Sequence, residues 1–240
     1  MWNGYESKDF TFCDRLATIV YPKVKPIGKM LLKPEYLNAF PLFDCAMLDK
    51  GYYLINIKPK NSWAPEEEIH IMADFVRHCA KELGASERCA VEGLSRGGLQ
   101  GARLAQLYPE LIAVLYLDAP VLNVISIGLA GLGIGKGMFV PGRWECLVEA
   151  YGVNESTILN FRNSPIDHMD KLLNNKIPII MVYGEADEVV IYEEHGKVLE
   201  SYYKENGGVL EIHSKPGCKH HPHGLENPEP IVNFVEKYFE

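Results

Sequence analysis

The sequence predicts an α/β fold, a mostly parallel sheet with helices on both faces, and three observations carry that expectation. Short runs rich in Val, Ile, Leu or Tyr alternate along the chain with helix-compatible stretches, the order needed by parallel strands joined through crossover helices. One of those stretches, Glu66 to Leu83, is clearly amphipathic. The third observation is size: 240 residues, 47% of them hydrophobic, suffice for one large core, so a single domain over residues 1–240 is expected.

Taken in order, Leu16 to Tyr21 and Tyr52 to Ile57 read as strands, with Leu37 to Lys50 helical between them. In Glu66 to Leu83 the apolar residues Ile69, Ala73, Val76 and Ala80 fall four, three and four apart, which places them on one helical face. Pro65 suits the first turn, where its missing N–H would find no partner anyway. Arg88 to Leu94 is the next strand, and Gly97 to Tyr108 behind it is helix-compatible. Ala113 to Leu117, Ile177 to Tyr183 and Val209 to His213 follow as strands, with helices at Ile191 to Glu205 and Glu229 to Tyr238.

Residues 121–171 break the rhythm. Gly128, Gly131, Gly133, Gly135, Gly137 and Gly142 precede a helix-compatible run from Trp144 to Tyr151. The segment reads as an insertion above the C-terminal edge of the sheet, expected to act as a short lid or pocket wall; the alternative is a surface excursion without function.

A net charge of −8 argues against nucleic acid or an anionic membrane as partner, because such surfaces are met by clustered Lys and Arg. The six cysteines are scattered without a Cys-x-x-Cys pair, so they read as thiols in a reducing compartment. No basic leader with an apolar core opens the chain, which makes a cytoplasmic location the default expectation and a removed secretion signal the alternative. The sequence leaves the oligomeric state open.

Gly93-Leu94-Ser95-Arg96-Gly97 follows the apolar run Cys89-Ala90-Val91 and opens the helix beyond it. A serine in such a strand-to-helix turn is pushed out of the sheet edge with a helix N-terminus behind it. A serine hydroxyl is a poor nucleophile until a base takes its proton, and the base works best when a carboxylate fixes its tautomer. Two later strands lead into loops carrying such groups. Gly184-Glu185-Ala186-Asp187-Glu188 follows one, and Ser214 to His223, containing Lys219-His220-His221-Pro222-His223, follows the other. Ends of parallel strands share one rim, so Ser95, an acid and a histidine can meet there.

Gly-Leu-Ser-Arg-Gly, Gly-Glu-Ala-Asp and Pro-Gly-Cys-Lys-His, each after its strand, resemble the α/β-hydrolase superfamily across most of the chain. Lys-Pro-Gly-x-x-His-His-Pro-His is similar to a little-characterised bacterial group within it. The resemblance implies an α/β-hydrolase fold and an ester-type hydrolase, with Asp187 as the acid at the Gly-x-x-Asp spacing and His220 as the base at the Pro-Gly-x-x-His spacing. Asp118, Glu185 and Glu188 stand as rival acids, and His221 and His223 as rival bases. The residue after the nucleophile, Arg96, supplies one backbone oxyanion donor. Relatives often carry His-Gly after an early strand for the second; this chain has none, and in Gly28 to Glu35 Pro34 cannot donate, so Lys33 is the expected donor.

The Arg96 side chain is expected to pair with Glu92 or Asp118, or else to bind an acidic substrate group. Trp63 and Trp144 are candidate apolar walls for sugars or acyl chains, with core packing the alternative. The clustered histidines lack the helical His-x-x-x-His, cysteine cluster or His-x-Glu arrangement of common metal centres, so no metal and no cofactor are expected. His70, His78, His168, His195 and His213 read as surface or packing residues. The expected function is a serine hydrolase cleaving a small acyl or carbohydrate ester through an acyl-enzyme on Ser95. The alternatives are a serine peptidase or thioesterase on the same fold, or a non-catalytic binding protein that retains it.

Overall fold

The chain opens with a hairpin, β1 (Ser7–Phe12) and β2 (Arg15–Val20), whose two-residue turn, Cys13 and Asp14, lies at positive φ (47° and 57°), as the twist of a tight hairpin demands. In the computed structural model, which describes residues 1–129, 135–138 and 141–239, there follow β3 (Met30–Leu32), α1 (Leu42–Asp49), β4 (Tyr53–Ile57), α2 (Glu66–Leu83), β5 (Cys89–Leu94), α3 (Arg96–Leu107) and β6 (Ile112–Asp118). Then come α4 (Val124–Leu129), α5 (Arg143–Tyr151), α6 (Met169–Asn174), β7 (Ile179–Gly184), α7 (Gly196–Glu205), β8 (Leu210–Lys215) and α8 (Glu229–Tyr238). The strands form one sheet in the order β1-β2-β4-β3-β5-β6-β7-β8. From β4 to β8 the neighbours are parallel, and the hairpin is antiparallel at one edge. This is the α/β-hydrolase arrangement expected from the sequence.

Alternation along the strands sends side chains into two cores. On β6, Leu115 and Leu117 join a cluster with Ile69, Phe75 and Val76 of α2, Leu99 of α3 and Leu199 of α7. Val114 and Tyr116 face the other way, toward Phe43 and Met47 of α1 and Ile231 and Val235 of α8. Each large side chain buried this way contributes about 1.5–3 kcal/mol, so both faces of the sheet are strongly specified. On α2 the charged Glu68 is also buried, because Arg15 grips it with Nε and Nη2 at 2.8 Å each, tying the hairpin to the helix. No described helix is long and apolar enough to cross a membrane.

The expected helix from Leu37 begins only at Leu42. Pro41 stands at its start and disfavours helical backbone in the residue before it, and Phe40 and Tyr36 take positive φ (53° and 60°). β3 is a strand where a loop was expected; its three residues are too few to show a period. The helix expected from Ile191 splits at His195 (φ −129°), whose ring turns inward so that Nδ1 accepts the amides of Leu122 and Asn123, both at 3.0 Å.

Gly131 and Gly133 of the expected lid lie outside the described residues. The flanks of that excursion are pinned at both ends: Ile166 N–H donates to the Leu122 carbonyl (3.1 Å), and Val124 N–H to Ser164 Oγ (3.1 Å). Tyr151, closing α5, donates its hydroxyl to the Trp63 carbonyl (2.5 Å).

Candidate active site

Ser95 occupies the turn between β5 and α3 with φ 50° and ψ −116°, a conformation that costs a non-glycine residue about 1–3 kcal/mol. Three backbone hydrogen bonds hold it there. Ser95 N–H donates to Asp118 O at 2.9 Å, and Ser95 O accepts from Val121 N–H at 2.9 Å and Gly98 N–H at 3.0 Å. A Cβ on Gly93 would lie 2.7 Å from Gly98 Cα, and one on Gly98 would lie 2.5 Å from Pro120 Cβ. Gly97, by contrast, has its nearest neighbour at an ordinary 3.7 Å. Gly101 of α3 is equally tight, its Cβ falling 2.8 Å from a Val91 methyl carbon on β5, so the glycines that let the helix pack against the strand are Gly93, Gly98 and Gly101.

The acid and base loops are bound to each other. Beyond β7, Ala186 N–H donates to Cys218 O (2.8 Å) and Glu185 N–H to Lys215 O (3.1 Å). The approach is so close that a Cβ on Gly184 would stand 2.3 Å from Lys219 O and 2.4 Å from Cys218 O. This contact sets Asp187 Oδ2 2.7 Å from His220 Nδ1, and His220 Nε2 3.1 Å from Ser95 Oγ. An ionised carboxylate only accepts, so Nδ1 carries the proton and Nε2 is left to accept the serine hydroxyl. Burial alone would raise the Asp187 pKa. The His220 hydrogen bond and the Val190 and Val189 amides, 2.9 and 2.8 Å from Oδ1, outweigh that and hold it below the usual aspartate value.

The rival acids and bases stand elsewhere. Asp118 Oδ1 lies 2.7 Å from His223 Nδ1, while its Oδ2 accepts Tyr116 Oη (3.1 Å) and Gly224 N–H (2.7 Å), giving a second buried carboxylate–imidazole couple beside the first. Glu185 and Glu188 are exposed. His221 is exposed and stacks on Phe40, ring centroids 5.6 Å apart. Among the three histidines of the loop, His220 is the one hydrogen-bonded to the serine.

Lys33 corrects the oxyanion expectation. The β3–β4 ladder runs one residue past β3, so Lys33 N–H is spent on Ile55 O (3.0 Å) and cannot serve a substrate. Its side chain is fully buried, with Nζ 2.5 Å from Asp44 and 3.4 Å from Glu92. Burial and the neighbouring Asp44 push the Glu92 carboxyl well above the usual range, against the pull of Lys33. Arg96 N–H, in the first turn of α3, is one of the amides that no preceding helical carbonyl can satisfy.

Ser95 and His220 open into a cavity of ≈ 520 Å³ whose other walls include Tyr36, Phe40, Trp63, Pro141, Arg143 and Val189. A cavity of similar size, ≈ 550 Å³, shares Tyr36 but is lined by residues such as Trp2, Asp9 and Asn56 and contains none of Ser95, Asp187 and His220. The excursion therefore walls the serine's pocket through Pro141, Gly142, Arg143 and Cys146. Trp63 is both buried in the main hydrophobic core and part of the pocket wall, whereas Trp144 packs against that core. The Arg96 guanidinium pairs with neither expected partner. Its Nη2 lies 3.3 Å from Glu35 and its Nε donates to Tyr36 Oη at 3.2 Å, with Glu35 further held by Ser62 and Gln100. Glu35 and Tyr36 escaped sequence reasoning; the only local signal was their place in the loop after an early strand.

Residues 71–240 match the family model described as the prolyl oligopeptidase family, peptidase S9. No curated protein matches the chain. Similar solved structures include a puromycin-hydrolyzing peptidase of Mycobacterium tuberculosis (TM-score 0.74, 11% identity, covering 98% of this chain and 39% of that one). Others are an acylaminoacyl peptidase of Pyrococcus horikoshii (0.73, 14%, 99% and 42%) and a provisionally assigned dipeptidyl aminopeptidase IV of Bacteroides ovatus (0.72, 18%, 98% and 36%). At these identities the likeness is one of fold, and the chain spans only 36–42% of the length of those structures.

Proposed function

The chain belongs to the prolyl oligopeptidase family, and from that premise we propose that it is a serine hydrolase of peptidase type, cleaving an amide bond in a short peptide or aminoacyl compound through an acyl-enzyme on Ser95. The observation that carries the proposal is the continuous hydrogen-bonded relay Ser95–His220–Asp187, whose Ser95 and His220 line the pocket.

Ser95 Oγ attacks the carbonyl carbon as its proton passes to His220 Nε2, and Asp187 supports the imidazolium that forms. The developing oxyanion is met by Arg96 N–H and, in place of Lys33, by Tyr36. The Tyr36 hydroxyl already accepts from Arg96 Nε, so its own proton is free to donate into the cavity it lines. His220 then protonates the leaving amine, and water activated by the same imidazole hydrolyses the acyl-enzyme. No cofactor enters these steps. The cavity is of small-molecule size, which supports a short substrate.

The ester reading of the sequence yields first place to its peptidase alternative. The relay cleaves either acyl group, but the family and the names of the similar structures, a puromycin-hydrolyzing and an acylaminoacyl peptidase, favour an amide. The test is a panel of aminoacyl and dipeptidyl p-nitroanilides beside p-nitrophenyl esters and acetylated sugars, with fluorophosphonate labelling of the wild type and Ser95→Ala. Amide turnover that falls about 10⁶-fold in Ser95→Ala, with label lost, is expected. Turnover confined to esters would restore the earlier reading, and a Ser95→Ala chain that stays active would remove the nucleophile.

A further inference from the structure

Three imidazoles converge beside Ser95. The side chains of His220, His221 and His223 all line the same cavity, and one ring nitrogen from each lies within 4.8 Å of the others. Their ring centroids form a near-regular triangle of 4.7, 4.9 and 5.0 Å. A zinc ion bound tetrahedrally by imidazole nitrogens at about 2.0–2.1 Å sets the ring centroids about 5 Å apart and the nitrogens about 3.3 Å apart. The rings are thus already at the right separation, and rotation about their side-chain torsions has to close the nitrogen spacing by roughly 1.5 Å.

The outer partners also fit. His220 and His223 each turn Nδ1 to a buried carboxylate, Asp187 and Asp118 respectively, both at 2.7 Å. That is the carboxylate–histidine pairing which, around zinc, fixes the tautomer and leaves Nε2 to face the metal. One carboxylate, Asp118, ends β6 and the other, Asp187, lies in the loop just beyond β7, so both reach one loop, and the third ring, His221, is exposed toward the same space.

We propose that His220, His221 and His223 form a binding site for a divalent transition-metal ion of the zinc type, and that its occupancy switches the hydrolase off. The fourth position falls to water. The inhibition follows from valence: the Nε2 lone pair of His220 that accepts the Ser95 proton, at 3.1 Å, is the one a metal would take. The ion leaves the protein chemically unchanged and is removed by a chelator. The inhibitory consequence rests on the proposed relay; the metal site itself does not.

The test is calorimetric titration of the full chain with ZnCl₂, with Co²⁺ as spectroscopic probe. One ion should bind per chain, with tetrahedral Co²⁺ visible bands and no thiolate charge-transfer bands. Ser95→Ala should bind as the wild type does, which makes the site readable in a protein with no activity. Losing one ring, in exposed His221→Ala or in His223→Gln, should weaken binding at least about tenfold, as disturbance of such shells does. In the activity assay zinc should inhibit the wild type reversibly, and the inhibitory concentration should rise in parallel for His221→Ala, read against that variant's own zinc-free rate. Failure to bind, affinity indifferent to His221→Ala, or thiolate bands would overturn the site. Binding at the histidines without loss of turnover would overturn the switch, and histidine-dependent binding in a protein that hydrolyses nothing would count against the proposed function alone.

Discussion

Gly184→Ala isolates the contact that sets the relay. The added methyl would stand 2.3 Å from Lys219 O and 2.4 Å from Cys218 O, where a carbon–oxygen contact normally keeps about 3.3 Å or more, so the histidine loop must retreat by about 1 Å. His220 lies one residue beyond Lys219, and its 2.7 and 3.1 Å bonds to Asp187 and Ser95 must stretch with it. A misplacement of about 1 Å near the chemistry costs on the order of 10²-fold in rate, and overpacking of this kind costs roughly 1–3 kcal/mol of stability. In a chain of this length each kcal/mol lowers Tm by about 2–4 °C. The assay is kcat/KM on the best substrate of the panel, with Tm measured alongside. Gly97→Ala is the control: it alters the Gly-x-Ser-x-Gly motif itself, yet its Cβ meets nothing nearer than 3.7 Å, so kcat/KM should hold within about threefold, under 1 kcal/mol of barrier. Unchanged turnover and Tm in Gly184→Ala, or a heavier loss in Gly97→Ala, would refute the steric reasoning.

Asp187→Asn should lower kcat by about 10⁴, because the amide no longer fixes the His220 tautomer, whereas Asp118→Asn should leave kcat within about tenfold and lose roughly 1–3 kcal/mol of stability from its His223, Tyr116 and Gly224 bonds; equal losses of kcat would return Asp118 to the list of acids. Burial lowers the His195 pKa from 6.5 to about 4, so across that window the unfolded chain binds the extra proton and stability should fall as pH drops through it. Urea unfolding at several pH values reads this, and His195→Gln, which can still accept the Leu122 or Asn123 amide, should show a flatter acid slope; identical slopes would dismiss the buried neutral ring as the cause.

Much of this was written in local pattern. The face of α2 was legible at Ile69, Ala73, Val76 and Ala80 because burial on one side imposes its period directly, and α8 was bounded as expected for the same reason. Ser95, Asp187 and His220 could be nominated because each follows a recognisable strand. What stayed hidden depended on partners distant in sequence. Lys33 looks like a loop cation until Asp44 and Glu92 enclose it, and its amide is lost to a ladder reaching beyond a three-residue strand. The Gly-x-x-Asp spacing pointed to Asp187 but left Asp118 standing as a rival, since what separates them in the fold is which imidazole of one loop each one meets. Tyr36 owes its place in the pocket to a backbone at φ 60°, which no propensity announces for a tyrosine.

The clamp on Ser95 also limits engineering. Its unusual torsions are maintained by the Asp118 carbonyl, by the Val121 amide and by Pro120 lying against Gly98, contributed by the last residue of β6 and the turn that follows it. Transplanting residues 93–97 into another sheet would carry the pentapeptide without its mould, and the serine would relax to ordinary backbone. A portable nucleophile has to be cut out as two pieces, 89–101 together with 112–121, in their parallel register.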